Sequence, residues 1–197
     1  MNYIYKHIDK EILLDHTEDS HQGRACVYVA SLEYKGQFID VAIPFKGEID
    51  FRSLKRDDFV SLNISKVNSQ TLSGFIVKKA VPVNVNLVRN FSFMDNDVFL
   101  NIAKEITRKE NELISKSQAH LRRIGNGENI QFSTNIDEQL KYLNARTLAR
   151  NNGLSDSYIY SIRPQELYRL VENSNKNIGK NVQFIPPKNN GGQGNGK

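Results

Sequence analysis

Residues 95–125 read DNDVFLNIAKEITRKENELISKSQAHLRRIG, and this stretch decides the fold class. Phe99, Ile102, Ile106, Leu113, Ser117, Leu121 and Ile124 recur at helical spacing, and no Gly or Pro interrupts them before Gly125. The spacing predicts one long amphipathic helix. Asp95 or Asn96 suits the cap at its start, and Gly125 suits the position just past its end.

Toward the N-terminus the period drops to two. Residues 26–32 (CVYVASL) and 38–43 (FIDVAI) are rich in β-branched and aromatic residues, and 33–37 (EYKGQ) offer a turn. The pair predicts a hairpin whose second strand ends at Pro44. Further strands are expected at Phe59–Ile64, with Val60, Leu62 and Ile64 on one face, at Leu72–Val77, and in the runs 80–83 and 85–88. Short antiparallel strands beside a long helix predict an α+β fold built on a small, strongly curved, open barrel-like sheet.

Toward the C-terminus, helices are expected from Asp137 to Asn151, with Leu140, Leu143 and Leu148 inward and Gly153 as the stop, and from Pro164 to about Asn173. After Ser174 the chain turns to Asn, Lys and Gly, the composition of a disordered tail. The expected organisation is a main domain at 1–145, a helical extension at 146–174 and a tail at 175–197.

The 197 residues are 39% hydrophobic, enough for a core. No run approaches the ~18 apolar residues of a membrane span, and MNYIYKH at the start lacks a secretory apolar segment. One cysteine, Cys26, leaves no disulfide framework and no cysteine-based zinc cluster. A soluble cytoplasmic protein is expected. Residues 1–50 hold 5 Lys and Arg against 9 Asp and Glu, while the remainder holds 22 against 13. That basic two-thirds points toward a polyanionic partner, and an ordinary solvated basic surface accounts for it equally well.

Three constellations carry candidate chemistry. On the long helix, Lys109, Lys116, His120 and Arg123 fall within a sector of about 60°. Such a stripe can neutralise phosphate, and a histidine there can move protons near neutral pH; a solvated face gives the same pattern. The segment 44–56 (PFKGEIDFRSLKR) reads as a loop with Lys46, Arg52, Lys55 and Arg56 beside Phe45 and Phe51, rings that can stack on bases or plug a core. Tyr3, Tyr5, Tyr28 and Tyr34 allow the same two readings. Residues 146–163 look like a helix-turn-helix, with Ser155 as a cap and Arg150 and Arg163 outward, which supports an alternative reading as a non-enzymatic nucleic-acid-binding regulator. The cluster His16 to His21 reads as a hydrophilic loop rather than a metal site, and no phosphate-binding glycine loop or nucleophile elbow occurs.

The order of these elements resembles the ToxN/AbiQ-type toxins of type III toxin–antitoxin systems. YKGQFIDVAIP (34–44) is similar to the family's strand-to-proline entry into its active-site loop, and LSGFIVKKAVPV (72–83) to its Gly-containing strand. SKSQAHLRRI (115–124) resembles the Lys-Ser run on its long helix, and FSTNIDEQ (132–139) the segment that follows. The resemblance covers about residues 1–145. It implies a metal-independent endoribonuclease without cofactors, forming 2′,3′-cyclic phosphate ends and active in abortive infection against phage. It also implies inhibition by a small repeat antitoxin RNA, a pseudoknot, in a cyclic toxin–RNA assembly. Many members follow the loop proline with a hydroxyl pair and a lysine; here Phe45-Lys46-Gly47 follow Pro44. The site residues it suggests are Lys46 and Lys116 for phosphate charge, Ser117 for positioning and His120 for proton transfer. Tyr5, Phe45, Arg52, Lys55, Arg56, Lys109 and Arg123 complete the expected RNA contacts.

Overall fold

In a computed structural model, which describes residues 7–9, 27–50, 54–63, 71–84 and 97–178, the hairpin forms from β1 (Val27–Tyr34) and β2 (Gln37–Asp50). Its turn is tighter than expected: Tyr34 pairs with Gln37, and only Lys35 (φ 49°) and Gly36 (φ 78°) lie between. Two left-handed residues match the twist of the flanking strands.

Pro44 does not end β2. Counting outward from the turn, its pair with Val27 is one that exchanges no hydrogen bonds, so the hairpin asks no N–H of it. On the other edge it falls between Ala42, the last partner of β5 (Val81–Pro82), and Phe45, the first partner of β4 (Thr71–Ile76). The proline occupies a corner where its missing donor costs nothing. The segment expected as a loop after Pro44 therefore starts as strand. A bulge follows between Lys46 and Ile49, where Ser73 Oγ donates to the Gly47 carbonyl.

β3 (Phe59–Leu62) pairs with β4, giving the order β1-β2-β4-β3 with β5 against β2. Val60 and Leu62 are buried as the alternation predicts, while Ile64 and the run 85–88 lie outside the described residues. At Gly74 the β3 backbone comes so close that a Cβ would sit 2.2 Å from the Val60 oxygen. An alanine there would force β3 and β4 apart. The result is a curled antiparallel half-barrel.

The concave face is filled by α1 (Asp97–Gly125). Ile102, Leu113 and Leu121 join Leu32, Val41, Ile43, Val60 and Phe75 in one apolar core, with Ile106 and Ile124 at its margin. Polar contacts fix the register of helix on sheet. Gln118 accepts from Glu33 N (2.9 Å) and donates to Glu33 O (2.7 Å), standing in for a neighbouring strand on the edge of β1 away from β2. Glu105 accepts from Asn63 N at 2.9 Å, just past β3. Tyr28 packs edge-on against Phe75 and donates to Glu110; burial, then that carboxylate, pushes its phenol up to about 12. Tyr34 is a core residue.

The expected caps Asp95 and Asn96 lie outside the described residues. At the other end the left-handed residue is Gly127 (φ 86°), not Gly125. Glu128 N donates to Arg123 O and Gly127 N to Ile124 O, the paired closure of a Schellman motif, which requires that backbone two residues later than expected.

The chain divides into two compact units, Met1–Leu140 and Lys141–Lys197. α2 (Ile136–Asn151) runs through the division, and α3 (Asp156–Ser161) and α4 (Pro164–Ile178) complete the second unit. There Tyr142, Ala145 and Ala149 turn inward on α2, whereas Leu148 is 40% exposed. Ser155 accepts from Tyr158 N as the predicted cap of α3, and Ile159 is fully buried. α4 continues to Ile178, so 175–178, expected as tail, are helical; 179–197 lie outside the described residues.

Candidate functional site

The cationic stripe of α1 meets a single 3-10 turn, Arg56–Asp58, which leads into β3. Lys116 Nζ donates to the carbonyls of Arg56 (3.0 Å) and Phe59 (3.1 Å) and pairs with Glu112 (3.0 Å). Those three acceptors use all three of its protons. Beside this contact opens a cleft of about 220 Å³, lined by Asp57, Ser115, Lys116, Ala119, His120 and Arg123. Lys55 and Arg56 are exposed next to it.

His120 forms the inner wall and is only 4% exposed. Its Nε2 lies 3.1 Å from Ser133 Oγ, which also lies within reach of the carbonyls of Lys78 (3.3 Å) and Thr134 (3.4 Å). When the serine proton goes to a carbonyl, Nε2 carries the imidazole hydrogen and Nδ1 keeps the lone pair; when it goes to Nε2, the tautomer is reversed. Burial pulls the imidazole down to about 4, and the charges of Arg123 and Lys78 add to this, against Asp58, which raises it. The ring is neutral at pH 7, a base or hydrogen-bond acceptor rather than the ready acid expected of a solvent-facing histidine. Beneath it Lys78 Nζ and Asp58 Oδ2 form a buried pair at 3.2 Å.

This burial has a measurable signature. Above pH 6.5 His120 is neutral in folded and unfolded chain alike. Between pH 6.5 and about 4 only the unfolded chain takes up the proton, so stability falls as pH falls. The loss contributed by this group should reach roughly 3 kcal/mol below pH 4. Denaturant unfolding at pH 7 and pH 4 checks it: the wild type should lose more stability than a His120→Gln variant, and equal losses would refute the burial effect.

The other cations of the stripe are held by carboxylates. Lys109 pairs with Glu112, and Arg123 makes a two-pronged contact with Glu128. Arg123 holds the Glu128 carboxyl below the usual range, and Lys109, then Lys116, do the same for Glu112. Around the cleft Lys55, Arg56, Lys116 and Arg123 stand against Asp57, Glu112 and Glu128, a weakly positive opening. A phosphate entering it would have to take Arg123 from Glu128.

Two predicted catalytic residues lie elsewhere. Ser117 is 1% exposed on the core side of α1, and its Oγ has no hydrogen-bond partner among the described residues; the hydroxyl lining the cleft is that of Ser115. Phe45 packs edge-on against Phe75 at 5.7 Å, as part of the core margin. Strand alternation then turns Lys46 to the opposite face of β2, exposed and away from α1. Tyr5 and Arg52 lie outside the described residues, as do Tyr3, Cys26, Phe51 and the His16–His21 cluster. Sequence reasoning missed Asp57, Ser115 and Ser133 as site residues. In the second unit, Arg146 and Arg150 both pair with Asp156 (3.1 and 3.6 Å), and Arg146 also covers the Tyr160 ring at 4.8 Å. Of the groups expected to meet DNA there, Arg150 is paired with Asp156 and Tyr160 lies under Arg146, while Arg163 is exposed.

No family model matches the chain, and no curated protein matches it. Among solved structures it matches one described by the words "A processed non-coding RNA regulates a bacterial antiviral system". The TM-score is 0.51 at 12% identity, over 71% of this chain and 89% of that one. That structure is of the ToxN type, and the chain shares its fold.

Proposed function

We propose that this chain is a metal-independent endoribonuclease, the toxin of a type III toxin–antitoxin system, held inactive by a small repeat RNA and released during phage infection in the cytoplasm. The observation that carries the reading is the cleft on α1, where a buried histidine stands beside Lys116 and Arg123 on a ToxN-type fold. Cleavage by in-line attack of a ribose 2′-OH on the adjacent phosphate needs a base, charge stabilisation and an acid for the leaving 5′-oxygen. In this reading His120 carries its proton on Nε2 and its Nδ1 accepts the 2′-OH proton. Arg123, released from Glu128, donates to the phosphorane, and Lys116 adds its charge through space. Ser115 positions the phosphate, and water in the open cleft supplies the proton for the leaving oxygen. Lys55 and Arg56 guide the flanking strand. We assign no part in the cleft to Lys46 or Ser117. The activity belongs to residues 1–145, with 146–174 as an extension to it.

Single-stranded RNA incubated with the full chain in excess EDTA tests the proposal. Fragments ending in 2′,3′-cyclic phosphate are the expected products. Cleavage that requires added divalent metal, or that leaves 3′-hydroxyl ends, would contradict it.

A further inference from the structure

Ser133, the residue that orients His120, ends a four-residue turn in which its N–H donates to the Ile130 carbonyl at 3.1 Å. Phe132, third in the turn, has φ 58°, while Gln131 before it has no positive φ. That is the pattern of a type II turn, whose third position asks for Gly or Asn. A phenylalanine there is strained, because its Cβ crowds the backbone. Its ring does not recover that cost by burial, since the residue is 59% exposed.

The mount of this ring is nevertheless rigid. Ser133 Oγ is shared between His120 Nε2 and the Lys78 carbonyl, and Thr134 donates from its N–H to Lys78 O (3.1 Å) and from its hydroxyl to Ala80 O. Asn135 N donates to the buried carboxylate of Asp9 at 2.6 Å. Three successive residues are thus pinned, and the residue before them presents a large aromatic surface to solvent, one peptide from the group that holds His120. An unfavourable backbone conformation, an exposed ring and a fixed mount one residue from the partner of His120 together are features that folding alone does not favour.

We infer that Phe132 is a stacking platform for an unpaired nucleobase of single-stranded RNA whose neighbouring phosphate occupies the His120 cleft. The inference rests on the proposed RNA-cleaving function and adds to it a base-binding subsite. Stacking on an aromatic ring tolerates any base, so the platform would contribute affinity and set the register of the strand rather than read its sequence. The exposed cations Lys55 and Arg56 supply the backbone attraction that such platforms work with.

The chain has no tryptophan, so Phe132→Trp places a single indole at the platform. The probe is a single-stranded RNA with 2′-O-methyl groups, which cannot undergo 2′-OH attack, and binding is followed by anisotropy of a label on the RNA. Phe132→Trp should bind at least as tightly as wild type, and its indole emission should be strongly quenched at saturation. Phe132→Gly, which suits the turn, should melt at a higher temperature than wild type yet bind about 5- to 100-fold more weakly. Phe132→Leu, apolar but without a π-face, should bind as weakly as the glycine variant. Unchanged affinity in the glycine and leucine variants, with unquenched indole at saturation, would overturn the platform while leaving RNA binding intact. If wild type itself binds no RNA, the platform and the proposed function fall together.

Discussion

Replacing His120 by glutamine is expected to slow RNA cleavage by two to four orders of magnitude, the range that a positioned general base contributes. Glutamine is the informative choice. Its side-chain amide can donate to Ser133 Oγ or accept from it, so it replaces the imidazole contact in either direction, and its bulk fills most of the same space, but it has no basic nitrogen. Thermal stability at pH 7 should therefore stay close to wild type while cleavage collapses. The fragments left by the residual activity are read by gel at fixed RNA and protein concentrations. Cleavage within threefold of wild type would remove His120 from the chemistry and leave it a packing residue.

The largest stability effect is expected beneath the cleft. Asp58→Ala strands the Lys78 ammonium, whose side chain is 9% exposed and whose paired carboxylate is the one removed. Breaking a buried pair from one side costs about 3–5 kcal/mol, because the remaining charge keeps its desolvation penalty without its compensation. For a chain of this size the melting temperature should drop by about 10 °C. The double variant Asp58→Leu with Lys78→Met should recover most of that loss, since an apolar pair carries no such penalty. A single variant within 1 kcal/mol of wild type would mean that water already reaches Lys78.

Much of this arrangement is legible in the sequence, including the burial of His120. Measured around α1 from Leu113, His120 lies at about −20°, the same angle as the buried Ile102, while Lys116 and Arg123 lie at about −60° and −80°. The histidine therefore belongs to the edge of the apolar stripe, and its burial and lowered basicity follow from that position. Ser117, at about +40°, sits inside the stripe, which explains why the accessible hydroxyl is that of Ser115. The carboxylates that hold the cations were also in view: Glu112 is three residues after Lys109 and four before Lys116, and Glu128 is five after Arg123. Counting cations without these neighbours overstates the field of the cleft.

Other features had no local signal. Pro44 reads as a strand end unless both neighbours of β2 are known, because only they reveal that its missing N–H faces a gap in pairing. Ser133 meets His120 across a chain reversal after α1, and nothing in the composition of 126–135 marks that contact. The alternation of β3, the hairpin and the long helix were legible because each is a local periodicity that tertiary packing reinforces.

The side-chain amide of Gln118, seated on Glu33, has a consequence for how these molecules behave in a crowd. Among the described residues β1 is a border strand, and the backbone groups on the side away from β2 alternate along it, with Glu33 at one end of the series. Any foreign segment seeking to extend the sheet would need that series uninterrupted. Glu33 is already satisfied in both its donor and its acceptor, and α1, from which Gln118 projects, stands where the incoming chain would lie. Intermolecular strand addition is blocked at that end of the border without a proline or a bulge, by one glutamine that imitates a peptide group.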